Sequence, residues 1–357
     1  MNIYDIMQAL VDRQGSDIHL IYGIPPVLRV DGELKPVEGA PVLGRQELEL
    51  LVMPLMNDEQ KRRFTEQKEF DFGYSYQDKG RFRVNVYTAK GEIAACMRLI
   101  PARIKSMEEL NLPDVFSTFT QKSQGLILVT GPTGEGKSTT LAALIDRINS
   151  SRNEHILTIE DPIEFVYEPK QSIISQREIN DDTKDWPIAL RSALREDPDI
   201  VLVGEMRDYE TIASAITVAE TGHLVFATLH TSTAAQTIDR IIDVFPAHQQ
   251  GQIRQQLAST LEAVVSQRLL PKAGGGRIAA FEVMTVNGAI RNLIREGKTY
   301  QIDNTLQTGA AEGNILIENY LAKLVQSGQV SRDDALRTAF RFDQMQRLLG
   351  GGGASGQ

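Results

Sequence analysis

"GLILVTGPTGEGKSTTLAALIDRIN", Gly125 to Asn149, is the stretch whose reading decides the fold. Within it "GPTGEGKS" has the spacing G-x-x-x-x-G-K-[ST], with an apolar run before it and a helix-forming segment after it. Strand, glycine-rich turn and helix, in that order, make a phosphate cradle. Backbone N–H groups of the loop and of the helix N-terminus converge on one spot and bind phosphate oxygens. The pattern predicts that Thr133, Gly134, Glu135, Gly136, Lys137, Ser138 and Thr139 hold a nucleotide. Lys137 is expected to neutralise the β- and γ-phosphates and Ser138 to offer its hydroxyl to Mg2+, so the expected ligands are ATP and Mg2+.

Glu135 places a carboxylate inside an anion-binding loop. Because the loop binds through backbone donors, this side chain is expected to point toward solvent. At ~8 Å one charge pair costs ~0.5 kcal/mol in a water-like dielectric and ~2 kcal/mol at an effective dielectric of ~20. Charge-assisted bonds from Lys137, Mg2+ and the loop amides outweigh that. The expectation is a weakened but intact site, in which Glu135→Ser tightens ATP binding, more so at low salt.

Three more apolar runs follow: "HILTIED" (155–161), "DIVLVGE" (199–205) and "HLVFATLH" (223–230). Continuous runs without alternation mark strands buried on both faces, hence a parallel sheet in an α/β domain. Ligands of such sheets sit beyond the carboxyl ends of the strands. There the runs carry Glu160, Asp161, Glu205 and His230, which suggests a converged site. Glu205 is expected to be the general base or to position water for attack on the γ-phosphate, with a salt bridge to Arg207 as the competing role. Glu160 and Asp161 either belong to the site or cap the turn that Pro162 favours. His230 either senses the γ-phosphate or is an ordinary strand-end histidine. Asp199 precedes its strand and lies at the wrong end, as does His223. Gly204 stands where many phosphate-loop enzymes have an aspartate, so magnesium beyond Ser138 is expected to rest on water held by Glu160, Asp161 or Glu205.

Before this α/β region, residues 1–100 read as a small mixed domain. Ile3, Ile6, Met7 and Leu10 define an amphipathic helix, and "DIHLIYG" and "PVLRVDGEL" read as short strands. "GRFRVNVYTAKGEIAACMRLIP" reads as a hairpin in which Arg81 and Arg83 share a face opposite Phe82, Val84 and Val86. Both arginines are either part of a solvated strand face or fingers that reach the phosphates of a neighbouring subunit. Residues 101–113 read as a linker, 114–349 as the α/β domain with a helical C-terminal portion, and 350–357 as a flexible glycine-rich tail.

Composition limits the alternatives. The formal net charge is −9 and Cys96 is the only cysteine, so no nucleic-acid partner is advertised and no multi-thiolate zinc site is possible. The N-terminus lacks the pattern of a signal peptide, and no apolar run approaches the ~20 residues that span a bilayer. A cytosolic protein that reaches membranes only through partners is expected.

Together "GPTGEGKSTT", the acidic box "ILTIEDPIEF", "LREDPDIVLVGEMRD" and the histidine box "TGHLVFATLHTSTA" resemble the secretion ATPase superfamily of type IV pili and type II and IV secretion. "AIRNLIREGKTYQI" is similar to the motif of its PilT-type, pilus-retraction (twitching motility) branch. The resemblance implies a PAS-like N-terminal domain, a RecA-like ATPase domain and a homohexameric ring. It further implies arginine fingers at Arg81 and Arg83, with Arg98 a weaker candidate, and a catalytic glutamate at Glu205. It implies action on the inner-membrane pilus platform protein, and through it on pilin. Glu135 departs from the family's usual serine. In "AIRNLIREG", helical spacing alone says that Ile290, Leu293 and Ile294 are buried; Arg291, Arg295 and Glu296 are expected on the more exposed face. Competing readings are an accessory retraction, assembly or secretion ATPase of the same superfamily, a RecA-like nucleic-acid translocase, and a non-hydrolysing regulatory subunit. A translocase would need a basic pore.

Overall fold

The computed structural model describes residues 1–30, 32–76, 79–101 and 103–350. The tail expected at 350–357 lies outside them apart from Gly350, which ends the last helix. The chain forms two compact units: Met1–Ile104 together with Asp161–Val166, and Lys105–Glu160 together with Tyr167–Gln357.

The first unit is built on an antiparallel sheet of order β3-β2-β1-β6-β5-β4. Its strands are β1 (Asp17–Leu20), β2 (Val27–Val30), β3 (Glu33–Pro36), β4 (Glu69–Tyr76), β5 (Gly80–Ala89) and β6 (Glu92–Pro101). The N-terminal helix, Ile3–Asp12, starts at a reciprocal capping box between Asn2 and Asp5 and buries Ile3, Ile6, Met7 and Leu10, as its periodicity predicts. The expected hairpin is β5–β6. Lys90 and Gly91 close it with φ of 54° and 85°, a pair of left-handed residues that suits the strand twist.

Phe82, Val84 and Val86 face the core, and the arginines between them face the other side. One cross-strand row runs Gly73–Arg83–Arg98–Asp17–Arg29. Asp17 is buried, and Arg98 Nε donates to its Oδ1 at 2.8 Å. Burial pushes the Asp17 carboxyl up, but the Ser16 hydroxyl and Arg98 together hold it below its ordinary value. Arg98 therefore has a structural task of its own, neutralising this carboxylate. Arg81 lies over Gly73, where a Cβ would stand 2.1 Å from its Nη2, and Nη1 donates to Ser75 Oγ at 3.3 Å.

The second unit holds a sheet of order β13-β12-β7-β11-β10-β8-β9. The runs read as strands from sequence are its four adjacent central members: β7 (Gly125–Thr130), β8 (His155–Glu160), β10 (Ile200–Val203) and β11 (Leu224–Leu229). Every residue of β7, β10 and β11 is buried, because helices cover both faces of the parallel core. Three strands escaped the sequence reading: β9 (Ile173–Glu178), β12 (Leu261–Pro271) and β13 (Arg277–Thr285). The portion expected to be helical begins with the helices Ala234–Asp243 and Ala247–Thr260 but then contains a hairpin, β12 parallel to β7 and β13 antiparallel at the edge. Ser266 and Gln267 interrupt the apolar run of β12 although both are buried, which hides its strand character. The helices Gly288–Glu296, Ile302–Thr308, Ile317–Gln326, Arg332–Thr338 and Phe342–Gly350 follow. No helix among the described residues is long and apolar enough to cross a membrane.

Helix Gly288–Glu296 buries Ile290 and Ile294 as expected and leaves Leu293 half-buried, but Arg291 does not sit on the exposed face. Its Nη1 donates to the carbonyls of Ala258 and Ser259 at 2.7 and 3.0 Å, and its Nη2 to Glu262 Oε1 at 2.6 Å. Arg291 therefore satisfies carbonyls at the C-terminal end of helix Ala247–Thr260, where a cation is favoured. Arg295 and Glu296 are exposed.

The terminal helices are fastened by Arg341. Its guanidinium meets Glu282 Oε2 at 3.2 Å, Glu318 Oε2 at 2.9 Å and Asp303 Oδ1 at 2.8 Å. Burial opposes its charge, but these carboxylates hold it protonated; burial also pushes the Glu282 carboxyl up. Glu282 Oε1 accepts the backbone N–H of Ala234, and Glu318 Oε1 accepts those of Phe340 and Arg341. Replacing Arg341 by alanine strands buried carboxylates and is expected to cost about 3–5 kcal/mol. Urea unfolding should show this as a lower midpoint with an unchanged slope.

Candidate nucleotide site

The site is assembled at the carboxyl ends of β7, β11, β10 and β8. β7 stops at Thr130, and the chain turns away at Gly131 with φ +144°. A Cβ on Gly131 would stand 2.5 Å from the Gln267 carbonyl oxygen, so glycine alone fits. The helix Lys137–Ser151 begins at Gly136, and no side chain caps it. Its first-turn N–H groups and the positive end of its dipole therefore face the loop without a competing side-chain acceptor at the N-cap. Lys137 Nζ folds over the loop and donates to the carbonyls of Gly131 and Pro132 at 2.7 and 3.0 Å. Ser138 and Thr139 are half-buried in the first turn, and Thr133 and Gly134 are exposed. Uncapped amides, a cation and a hydroxyl on one helix start form a donor set whose chemistry fits phosphate.

Glu135 does not point to solvent, contrary to the sequence expectation. Its carboxylate accepts the backbone N–H of Leu269 on β12. Gln267 Nε2 donates to the Glu135 carbonyl at 2.6 Å, and Gln267 Oε1 accepts from Thr140 Oγ1 at 2.8 Å. Serine here would remove a hydrogen bond as well as a charge, so the simple electrostatic forecast for Glu135→Ser no longer holds. Gln267 drew no notice in the sequence. Its only signal was an amide side chain in a strand otherwise rich in apolar residues.

Glu205 is held on both oxygens. Arg207 Nη2 approaches Oε2 and His230 Nε2 approaches Oε1, each at 2.8 Å. The two roles weighed for Glu205, salt bridge or catalysis, are thus not alternatives, because the bridge orients the carboxylate at the strand end. Its backbone is fixed on either side: Gly204 N–H donates to the Ile159 carbonyl at 2.8 Å, and Met206 N–H to the Thr228 carbonyl at 3.0 Å. Burial pushes the Glu205 carboxyl up, but hydrogen bonding and charge from Arg207, with His230 assisting, hold it below its ordinary value. It is ionised at neutral pH.

Glu160 is buried at the end of β8, and its Oε1 accepts from Thr158 Oγ1 at 2.8 Å. Asp161, next in sequence, belongs with the first unit, as do Arg81 and Arg83. The second unit therefore brings together the phosphate loop, Glu160, Glu205 and His230. Asp199 and His223 serve the opposite strand ends. Asp199 Oδ2 accepts the His155 N–H at 2.9 Å, and His223 Nδ1 lies 3.0 Å from the Val218 carbonyl.

Gly204 is explained by packing. A Cβ there would meet Glu160 Cα and the Ile159 carbonyl oxygen, both at 3.3 Å, and Trp186 at 3.4 Å. An aspartate at this position would have to displace the backbone of β8. Gly204→Asp is expected to cost about 1–3 kcal/mol through overpacking. A thermal melt several degrees below wild type would bear this out, and an unchanged melting temperature would refute the packing argument.

Residues 2–311 match the model of the family described as "Type II/IV secretion system protein". The chain is 48% identical over 339 residues to "Type IV pilus retractation ATPase PilT" of Pseudomonas aeruginosa strain PAO1, covering 95% of this chain and 98% of that protein. It is 47% identical over 321 residues to the "Twitching motility protein" of Neisseria gonorrhoeae, covering 90% of this chain and 86% of that one. The crystal structure of the pilus retraction motor PilT with bound ADP matches it with a TM-score of 0.90 at 44% identity, over 97% of this chain and 99% of that one.

Proposed function

Since the chain belongs to the type II/IV secretion system protein family, and is built as a RecA-like P-loop ATPase with a smaller antiparallel unit, we propose that it is the motor that retracts a type IV pilus by hydrolysing ATP. The observation that carries this reading is the site itself: an uncapped phosphate loop on β7 and a clamped, ionised Glu205 after β10, on one parallel sheet. The loop amides and Lys137 grip the triphosphate, and Lys137 exchanges the carbonyls of Gly131 and Pro132 for phosphate oxygens. Mg2+, held by Ser138, would neutralise charge on the phosphates. Glu205 orients the attacking water and takes its proton. Arg207 and His230 keep that carboxylate aimed, and His230 is placed to register loss of the γ-phosphate. Glu160 supplies a further acceptor for water in the site.

The motor acts as a homohexamer at the cytoplasmic side of the inner membrane, against a platform protein and through it on pilin. Arg81 and Arg83 enter as the cations that a neighbouring copy contributes to the phosphates. Differential binding of ATP and ADP then shifts a conformational equilibrium, which is how nucleotide turnover becomes movement.

Glu205→Gln should bind ATP yet release phosphate about 100-fold more slowly or worse. In a strain lacking its retraction ATPase, the wild-type chain should restore twitching and this variant should not. Absence of phosphate release by the purified wild-type protein with Mg2+ would sink the proposal. Arg207→Ala removes the main influence that lowers the Glu205 pKa, so the acid limb of the pH–rate profile should move to higher pH.

A further inference from the structure

β12 pairs with β7 only as far as Ser266, opposite Thr130, whereas its pairing with β13 continues to Pro271. Beyond Ser266 no strand among the described residues pairs with the inner edge of β12, and the phosphate loop lies against it. An exposed strand edge presents backbone donors and acceptors that must be satisfied. The Leu269 N–H is one of these, and the Glu135 carboxylate accepts it. Gln267 adds a second tie, bridging the Glu135 carbonyl and Thr140 Oγ1. The contact is close at the helix end of the loop, since a Cβ on Gly136 would meet Gln267 Nε2 at 3.0 Å and Leu269 Cδ1 at 3.4 Å. Arg268 stands at the root of the loop, its guanidinium 5.0 Å from the Phe340 ring centre and bonded to the Gln267 carbonyl at 3.1 Å.

We propose that Glu135 is a positioning residue: it moors the apex of the phosphate loop to the open edge of β12, so that the loop is set before nucleotide arrives. The mooring holds the loop amides in their binding arrangement at the expense of a negative charge near the phosphates. Affinity for highly charged nucleotides falls, while the geometry needed for turnover is kept. A loop ordered in advance loses less freedom on binding. Serine is too short to replace both the reach and the acceptor. This inference rests on the ATPase reading only for its kinetic consequences; the tie itself is a property of the nucleotide-free chain.

Two substitutions separate charge from mooring. Glu135→Gln keeps an acceptor for the Leu269 N–H and removes the charge, whereas Glu135→Ser removes both. Hydrogen exchange in the nucleotide-free protein should leave the Leu269 amide protected in Glu135→Gln and speed its exchange about tenfold or more in Glu135→Ser. With a fluorescent ATP analogue, Glu135→Gln should bind about three- to tenfold more tightly than wild type. Its kcat should exceed that of Glu135→Ser by about fivefold or more, because a misplaced loop misaligns the phosphates. Should Glu135→Ser fail to fold, Glu135→Met has matching length and no acceptor, and takes its place. Equal Leu269 protection in the two variants, or equal kcat, would overturn the proposal. A wild-type protein that neither binds nor cleaves nucleotide would instead remove the ATPase reading, and the exchange comparison would still decide the mooring.

Discussion

The carbonyl oxygen of Gln267 lies where any side chain on Gly131 would have to go, and the phosphate loop takes its course from that contact. β7 ends one residue earlier, so the chain must leave the sheet at a point already bounded by β12. Glycine at Gly131 admits the backbone at φ +144°, and the loop then runs along the strand edge that β7 vacates. Helix Lys137–Ser151 starts from that edge with its N-terminal amides uncapped by a side chain. The donor set for phosphate is thus a consequence of where one strand stops and its neighbour does not.

A second constraint orders the acidic side of the site. Glu205 follows Gly204, whose missing side chain lets β10 pack against the end of β8. The carboxylate is then held on one oxygen by Arg207 and on the other by His230. Burial alone would favour the protonated acid, and the adjacent guanidinium reverses that preference. A carboxylate kept ionised and fixed in direction is what activation of water requires.

The C-terminal helices are joined to this site through polar bonds as well as through core packing. Glu282 on β13 accepts the N–H of Ala234, which begins the helix after the histidine box, and also meets Arg341 ahead of the last helix. Arg268, on β12, reaches the Phe340 ring from the strand that moors the phosphate loop. The same strand pair therefore contacts the loop on one side and the terminal helices on the other. In helix Gly288–Glu296, Arg291 stabilises the preceding helix end, which leaves Arg295 and Glu296 as the exposed charges of that segment.

Local pattern determined a great deal. The parallel core was legible because strands buried on both faces leave unbroken apolar runs, and the loop was legible because its spacing is set by backbone geometry. The strand-end residues Glu160, Glu205 and His230 followed from the rule that such sheets bind ligands at their carboxyl ends. Only the tertiary structure decided that Arg98 neutralises Asp17, that Arg291 caps a helix, that β12 and β13 extend the sheet, and that Glu135 turns toward Leu269. Each of these depends on a partner far away in the chain, as with Glu135 and Leu269, 134 positions apart. A charged side chain read from sequence has only its neighbours and water as partners. In the folded chain it turns to whichever distant donor or acceptor the sheet has left unsatisfied.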